Sequence, residues 1–288
     1  MPRYFGFRRG ITHYTWTSDQ YSPYGTKVIP STVRDATYVL DEILDNETEL
    51  PIEEHTTDTA GFTELIFALF DLLGMQFSPR IRDMADQQLY RADRHVRYEH
   101  IEPLLSGTIN HDLILSRWDD LVRLAASLKM GWATASLLVG KLQSHRRQNA
   151  VLRALQEYGR LIKTIHIVHC LDSPEYRKRI GIQLNKGESL HDLRRFIFFA
   201  NEGEIRRAQY DDQTVQALCL NLVTNVVITW NTVYMTKVLD VLRADGIPVS
   251  DEDLAHLAPT LRAHINPYGK YSFDVDAGLA RTTLRLAA

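Results

Sequence analysis

Two carboxylates in this sequence have neighbours suited to phosphate and metal chemistry. Asp58 lies in Thr57-Asp58-Thr59-Ala60-Gly61, after the polar cluster Glu53-Glu54-His55 and just before a helix pattern. A lone Asp before a helix is most often an N-cap, its carboxylate accepting from open backbone N–H groups. The alternative is a metal ligand at a strand end, facing the crevice where an α/β sheet opens. Glu188 lies in Leu184-Asn185-Lys186-Gly187-Glu188-Ser189-Leu190-His191 and is read as opening an amphipathic helix. Helical spacing places His191 and Arg195 on its side, at i+3 and i+7. A carboxylate beside such cations suits a divalent ion next to a phosphate. A first-turn Glu satisfying the helix dipole has the same pattern, and Glu202 and Glu204 are equal rivals on spacing alone.

Other constellations are weaker. His166, His169 and Cys170 are zinc-ligand types at helical spacing, but no second pair completes a tetrahedral set, and the surrounding pattern is core helix. Basic residues cluster at Arg80, Arg82, Arg91, Arg94 and Arg97, at His145-Arg146-Arg147, and at Arg177-Lys178-Arg179. Each cluster alone is a solvated face; together they offer phosphate contacts along a duplex. There is no glycine-rich phosphate loop, no G-x-S-x-G elbow and no zinc finger.

The elements that must position these residues begin as strands and helices in alternation, which predicts an α/β layer. Tyr4–Phe7, Ile11–Thr17, Thr26–Ile29 and Met75–Ser78 read as strands. A helix is expected from a Ser31 cap to about Asp45, and another carries Leu65, Phe67, Leu69, Phe70 and Leu73. From about Arg80 to Leu257 helical periodicity is expected to dominate. One amphipathic helix is marked by Ile114, Trp118, Leu121, Val122, Ala125 and Leu128, another by Val151, Leu155, Tyr158, Ile162 and Ile165. The tail around Ile265, Tyr271 and Phe273 reads as turn and strand.

The chain has 288 residues, enough for one large domain or two small ones. Its net charge of −3 gives no global basic signal, so any nucleic-acid contact must use a local face. Cys170 and Cys219 are too few for a disulfide framework and read as reduced thiols in apolar helices. The start lacks the apolar core of a signal peptide. The most apolar stretch, Leu218–Trp230, is broken by Asn221 and Asn225 and is short of the ~20 residues that span a bilayer.

In order along the chain, YFGFRRGIT, SDQY, VIPSTVRDA, TDTAG, FSPRIRD, LAASLK, LNKGE, GEIR, LVTNVVITWNTVYM and HINPYGKYSF resemble the catalytic region of Tn-three family transposases. These are the transposases of replicative, class II bacterial transposons. The resemblance implies a DDE-type enzyme with a ribonuclease H-like core and a large, mainly helical insertion. Its two Asp and one Glu hold two divalent ions, usually Mg2+. By position, the Asp of TDTAG is Asp58 and the Glu of LNKGE is Glu188. Oxygen ligands suit Mg2+, and two ions can clamp an in-line displacement at phosphorus. Water then nicks DNA at the transposon end, and the freed 3′-hydroxyl attacks target DNA. The resemblance thus implies double-stranded DNA as partner, self-association on DNA, and a cytoplasmic, nucleoid-associated location. Lys186, His191, Arg195, Arg146 and Arg147 are the expected DNA contacts.

The family's first Asp, in a motif resembling SSDGQ on a strand before YFG, has no counterpart here, because YFG begins at Tyr4. Asp19 in SDQY matches a separate family Asp and is read as supporting the site from outside the metal's own ligands. The expected organisation is a partial ribonuclease H-like α/β core over 1–80, lacking its first strand, a helical insertion over 81–180, and the C-terminal helical part of the core over 181–288. The expectation is an N-terminally truncated chain holding two of three carboxylates. The alternative is an inactive remnant that binds DNA or full-length transposase.

Overall fold

The computed structural model describes residues 11–31, 35–144, 149–199, 205–266 and 268–270. The fold is mixed α/β and mainly helical. Its strands are β1 Ile11–Thr17, β2 Pro23–Pro30, β3 Glu54–His55, β4 Gln76–Phe77, β5 Leu89–Arg91 and β6 Leu105–Thr108. Its helices, among the described residues, are α1 Asp41–Leu44, α2 Glu64–Leu72, α3 His111–Ser116, α4 Trp118–Lys129, α5 Ala135–Ser144, α6 Ala150–Asp172, α7 Pro174–Ile197, α8 Tyr210–Ala244 and α9 Asp251–Ala255. The strands form three two-stranded sheets, β1-β2, β3-β4 and β5-β6. The chain divides into two compact units: Met1–Tyr14 with Ile29–Asn185, and Thr15–Val28 with Lys186–Ala288.

The first unit is built around α2, β4 and α6. Leu65, Ile66, Phe67, Ala68, Leu69 and Phe70 are all buried, so α2 has no solvated stripe over its centre. Thr63 caps it, accepting from the Ile66 N–H. Gly74, at φ +78°, ends the turn, with the Met75 N–H reaching back to the Phe70 carbonyl. A Cβ on Gly159 of α6 would lie 1.8 Å from the Glu64 carbonyl oxygen, so the close crossing of α2 and α6 requires glycine there. Phe77 of β4 packs on Phe67 and Phe70, with ring centroids 5.0 and 4.7 Å away.

β3 and β4 run parallel, joined by α2, with Glu54 opposite Gln76 and His55 opposite Phe77. One face of this pair is apolar. The other carries a polar cluster: Ser78 Oγ donates to Glu54 at 2.5 Å and lies 2.7 Å from the Tyr176 hydroxyl, while Gln76 Nε2 donates to both hydroxyls. His166 Nε2 donates to the Pro79 carbonyl at 3.0 Å, leaving Nδ1 to accept from Tyr176 at 3.1 Å.

Several expectations are corrected. In place of a helix from Ser31 to Asp45 there is a 3₁₀ turn at Asp35–Thr37 and the single helical turn α1; residues 32–34 lie outside the described set. Burial of Val39 and Leu40, and the hydrogen bond from the Ser136 N–H to Asp41 Oδ1, hold this stretch irregular. After Arg80 there is no α-helix among the described residues until His111, only 3₁₀ turns at Met84–Asp86 and Glu102–Leu104; β5 and β6 pair in parallel there, and Leu89 and Leu105 pack with Ile81 and Ile167. The Ile114–Leu128 pattern is two helices, α3 and α4, leaving Trp118 and Val122 exposed. Tyr4–Phe7, Tyr271 and Phe273 lie outside the described residues.

In the second unit Leu190, Leu193 and Ile228 form the core, with Tyr21, Ile197 and Val227 against it. α8 is 35 residues long and extends past the apolar stretch Leu218–Trp230 at both ends. By length and composition it qualifies as a membrane span, although core helices of other proteins pass the same test. Of the two asparagines read as interrupting the apolar stretch, Asn225 serves the fold, its Nδ2 donating to the Pro23 carbonyl at 2.9 Å; Asn231, just beyond the stretch, donates through Nδ2 to the carbonyls of Pro259 and Leu261.

Burial pushes the imidazoles of His55 and His166 down to about 4. Both are therefore neutral in the fold at pH 5, whereas the unfolded chain binds these protons below about pH 6.5. Their contribution is intact above that value and is lost as pH falls towards 4, on the order of 3 kcal/mol each. Urea midpoints are expected to drop between pH 7 and 4.5, and to drop less in His55→Phe, whose ring can keep the stacks on Phe70 and Phe77. Equal drops in both proteins would contradict this assignment.

Candidate functional site

The β3-β4 ladder continues past its assigned strands. The N–H groups of Gln76, Ser78 and Arg80 donate to the carbonyls of Glu53, His55 and Thr57 at 2.8, 2.9 and 2.8 Å. Asp58 therefore stands at the carboxyl end of a parallel strand pair, where α/β sheets open their ligand crevices. It is exposed, between buried Thr57 and half-buried Thr59. It is not the N-cap of the following helix, a role taken by Thr63. Instead it leads into a 3₁₀ turn, Thr59–Gly61, whose Gly61 N–H donates to the Asp58 carbonyl. Thr59 Oγ1 donates to the Arg80 carbonyl at 3.1 Å and accepts from the Arg82 N–H at 3.2 Å, locking the segment after Asp58 to the segment after β4.

Sequence reasoning passed over Asp35. Its carboxyl is held above the usual carboxylate range, chiefly by burial and then by the negative charge of Asp58. The two carboxylates are thus close enough to repel. Hard oxygen donors in this arrangement fit a divalent cation. Among the described residues no group of three or more His, Cys, Asp or Glu side chains forms a metal cluster. His166, His169 and Cys170 do not form one either. His166 is held by Tyr176 and Pro79, His169 stacks on the Tyr176 ring at 4.0 Å, and Cys170 is a buried free thiol.

Glu188 belongs to the second unit and is exposed. It does not open a helix: it lies well inside α7, whose first turn is at Pro174. The Asn185-Lys186-Gly187 stretch looks like a break, but the helix runs through it. The expected one-sided grouping holds in the electrostatics. His191 is pushed below the usual imidazole range by burial and then by Arg195, and Glu188 opposes the shift. Asp19 sits in the turn joining β1 to β2, and its carbonyl accepts from Lys186 Nζ at 2.9 Å, while that ammonium lies 5.7 Å from the Tyr21 ring centroid. Asp19 thus reaches the Glu188 turn of α7 through its backbone, not its carboxylate. Beside it an open groove is lined by Ser189, Asp192, Phe196, Thr260 and Arg262.

Of the basic clusters, Arg91 is paired with Glu102 at 2.5 Å, Arg179 with Glu54 at 3.1 Å, and Arg177 with the Cys170 carbonyl. These serve the fold. Arg195 is exposed, and Arg146 and Arg147 lie outside the described residues.

A strand-end carboxylate in a βαβ unit, beside a second acid and among cations, is a class of site suited to metal-dependent phosphate chemistry. The chain matches the family model described as the Tn3 transposase DDE domain over residues 1–271, and it belongs to that family. It is 46% identical to the transposase for transposon Tn21 of Escherichia coli, over 99% of this chain and 29% of that one. It is 46% identical to the transposase for transposon Tn501 of Pseudomonas aeruginosa, over 94% of this chain and 27% of the other. Against the transposase for transposon Tn1546 of Enterococcus faecium the identity is 41%, over 98% of this chain and 28% of that one. The chain therefore spans less than a third of the length of these relatives.

A Cβ on Gly61 would lie 2.7 Å from Thr57 Cβ and Oγ1, and Thr57 is buried. Gly61→Ala is expected to push Thr57 and the adjoining Asp58 out of register and to lower stability by ~1–3 kcal/mol. Denaturant unfolding checks this; an unchanged midpoint would show that the turn relaxes freely.

Proposed function

We propose that this chain is a DDE catalytic region that nicks DNA and joins the resulting 3′ end to target DNA, the 3′-hydroxyl attacking a target phosphodiester and displacing a target 3′-oxygen, with Asp58 and Glu188 as metal-holding carboxylates. The observation that carries this reading is the exposed Asp58 of the TDTAG motif at the carboxyl end of a parallel ladder. Family membership and the 130-residue separation of the two acids in this chain (188 − 58 = 130), which fits an inserted helical block, support the pairing. The ladder corresponds to part of a ribonuclease H-like core, and residues 81–180 to the insertion between the two acids.

Mg2+, when bound, supplies Lewis-acid activation of the attacking oxygen and stabilises the leaving oxygen. Asp58 and Glu188 offer it hard oxygen ligands, and Asp35 adds negative charge that such an ion would relieve. Around Glu188, Arg195 brings positive charge towards DNA phosphates, His191 offers them a ring N–H as a hydrogen-bond donor, and Lys186 anchors the Asp19 turn. Duplex DNA at transposon ends and targets, further copies of the chain on that DNA, and the cytoplasm are the partners and place this reading implies.

A second reading is favoured by the lack of a three-acid metal cluster among the described residues: a chain that binds DNA or transposase without cutting. An assay of strand nicking on supercoiled plasmid with Mg2+ or Mn2+ separates the two. The catalytic reading expects metal-dependent nicks that fall by about 10²-fold or more in Asp58→Asn and in Glu188→Gln. DNA binding without nicking in the unaltered chain would overturn it in favour of the second.

A further inference from the structure

The register of the β3-β4 ladder carries one more assignment. Glu54 pairs with Gln76, an offset of 22 residues, and the hydrogen bonds continue in step to Thr57 and Arg80. Carried along the ladder, that offset pairs Asp58 with Arg80. In a parallel pair, partners point to the same face. Burial alternates accordingly: Arg80 and Arg82 are exposed on either side of buried Ile81. Thr59 Oγ1 pins the backbone of both arginines to the Asp58 turn. Neither guanidinium makes a hydrogen bond or ion pair with another described residue, unlike Arg91 and Arg179. Two unspent guanidiniums on the same face as a strand-end carboxylate, held on rigid backbone, match the planar, bidentate geometry of a phosphodiester.

We infer that Arg80 and Arg82 form a phosphate clamp that grips the nucleic-acid backbone beside Asp58. The inference rests on the DNA-acting reading above and adds the residues that seat the strand. It is tested by fluorescence anisotropy of a labelled DNA duplex without divalent metal, over 50–200 mM KCl. The unaltered chain, Arg80→Gln/Arg82→Gln and Arg123→Gln are compared, with circular dichroism confirming that each is folded. Arg123, on α4, lies outside the basic clusters and pairs with Asp120.

Each phosphate contact contributes about 0.9 to the slope of log K against log salt. The double variant is expected to lose at least one unit of slope, and close to two, with Arg123→Gln near the unaltered value. A double-variant slope that is unchanged, or no lower than that of Arg123→Gln, overturns the clamp while leaving the DNA-acting reading in place. No DNA binding by the unaltered chain would overturn both.

Discussion

The first unit depends on keeping two very short parallel strands in one register. Two residues on each side are too few to stand alone in water, and a two-stranded pair is marginal even when longer. The pair is held from both faces. On one face Phe67, Phe70 and Phe77 interlock, with His55 stacked at the edge. On the other, Ser78 and Tyr176 form the centre of a hydrogen-bonded cluster that reaches Glu54, Gln76 and His166. Buried polar groups are costly when unpaired, so shifting the register would cost the hydrogen bonds that this cluster makes. A one-residue slip would turn Asp58 and Arg80 inward and Thr57 and Ile81 outward.

That dependence joins distant parts of the chain. Tyr176 begins α7 and His166 lies on α6, each about a hundred residues from the strands they brace. The helices between the two acids are therefore structural partners of the Asp58 ladder. In the second unit the logic is similar but simpler. The turn carrying Asp19 is tied to α7 by Lys186, and to α8 by Asn225, so Glu188 stands on a helix braced at its own turn.

Much of this was legible in the sequence, and the failures have physical causes. β1 was readable because β-branched and aromatic residues fill it, and α2 because its apolar run ends in a helix-stopping glycine. Asp58 was found as a carboxylate at a strand end, though spacing alone could not separate that role from a cap. Thr63 settled the cap, since its own oxygen takes the orphan N–H. Glu188 was placed at a helix start because Asn185 and Gly187 are weak helix formers, yet packing of Leu190 and Leu193 carries α7 through them. Asp35 and the Arg80 register were hidden, because both depend on pairings that only the assembled chain creates. The β5-β6 pair was missed because charged residues at helical intervals filled the connections, and periodicity reads charge as readily as burial.

The central claim is that the ladder end presents Asp58 as a ligand for a divalent ion. The most direct measurement is an electron paramagnetic resonance titration of Mn2+ into the metal-free chain and into Asp58→Asn, which counts free against bound ion without any DNA or catalysis. The account predicts bound Mn2+ in the unaltered chain and its loss in the variant, with the fold intact by circular dichroism. Equal Mn2+ binding by both proteins would contradict it.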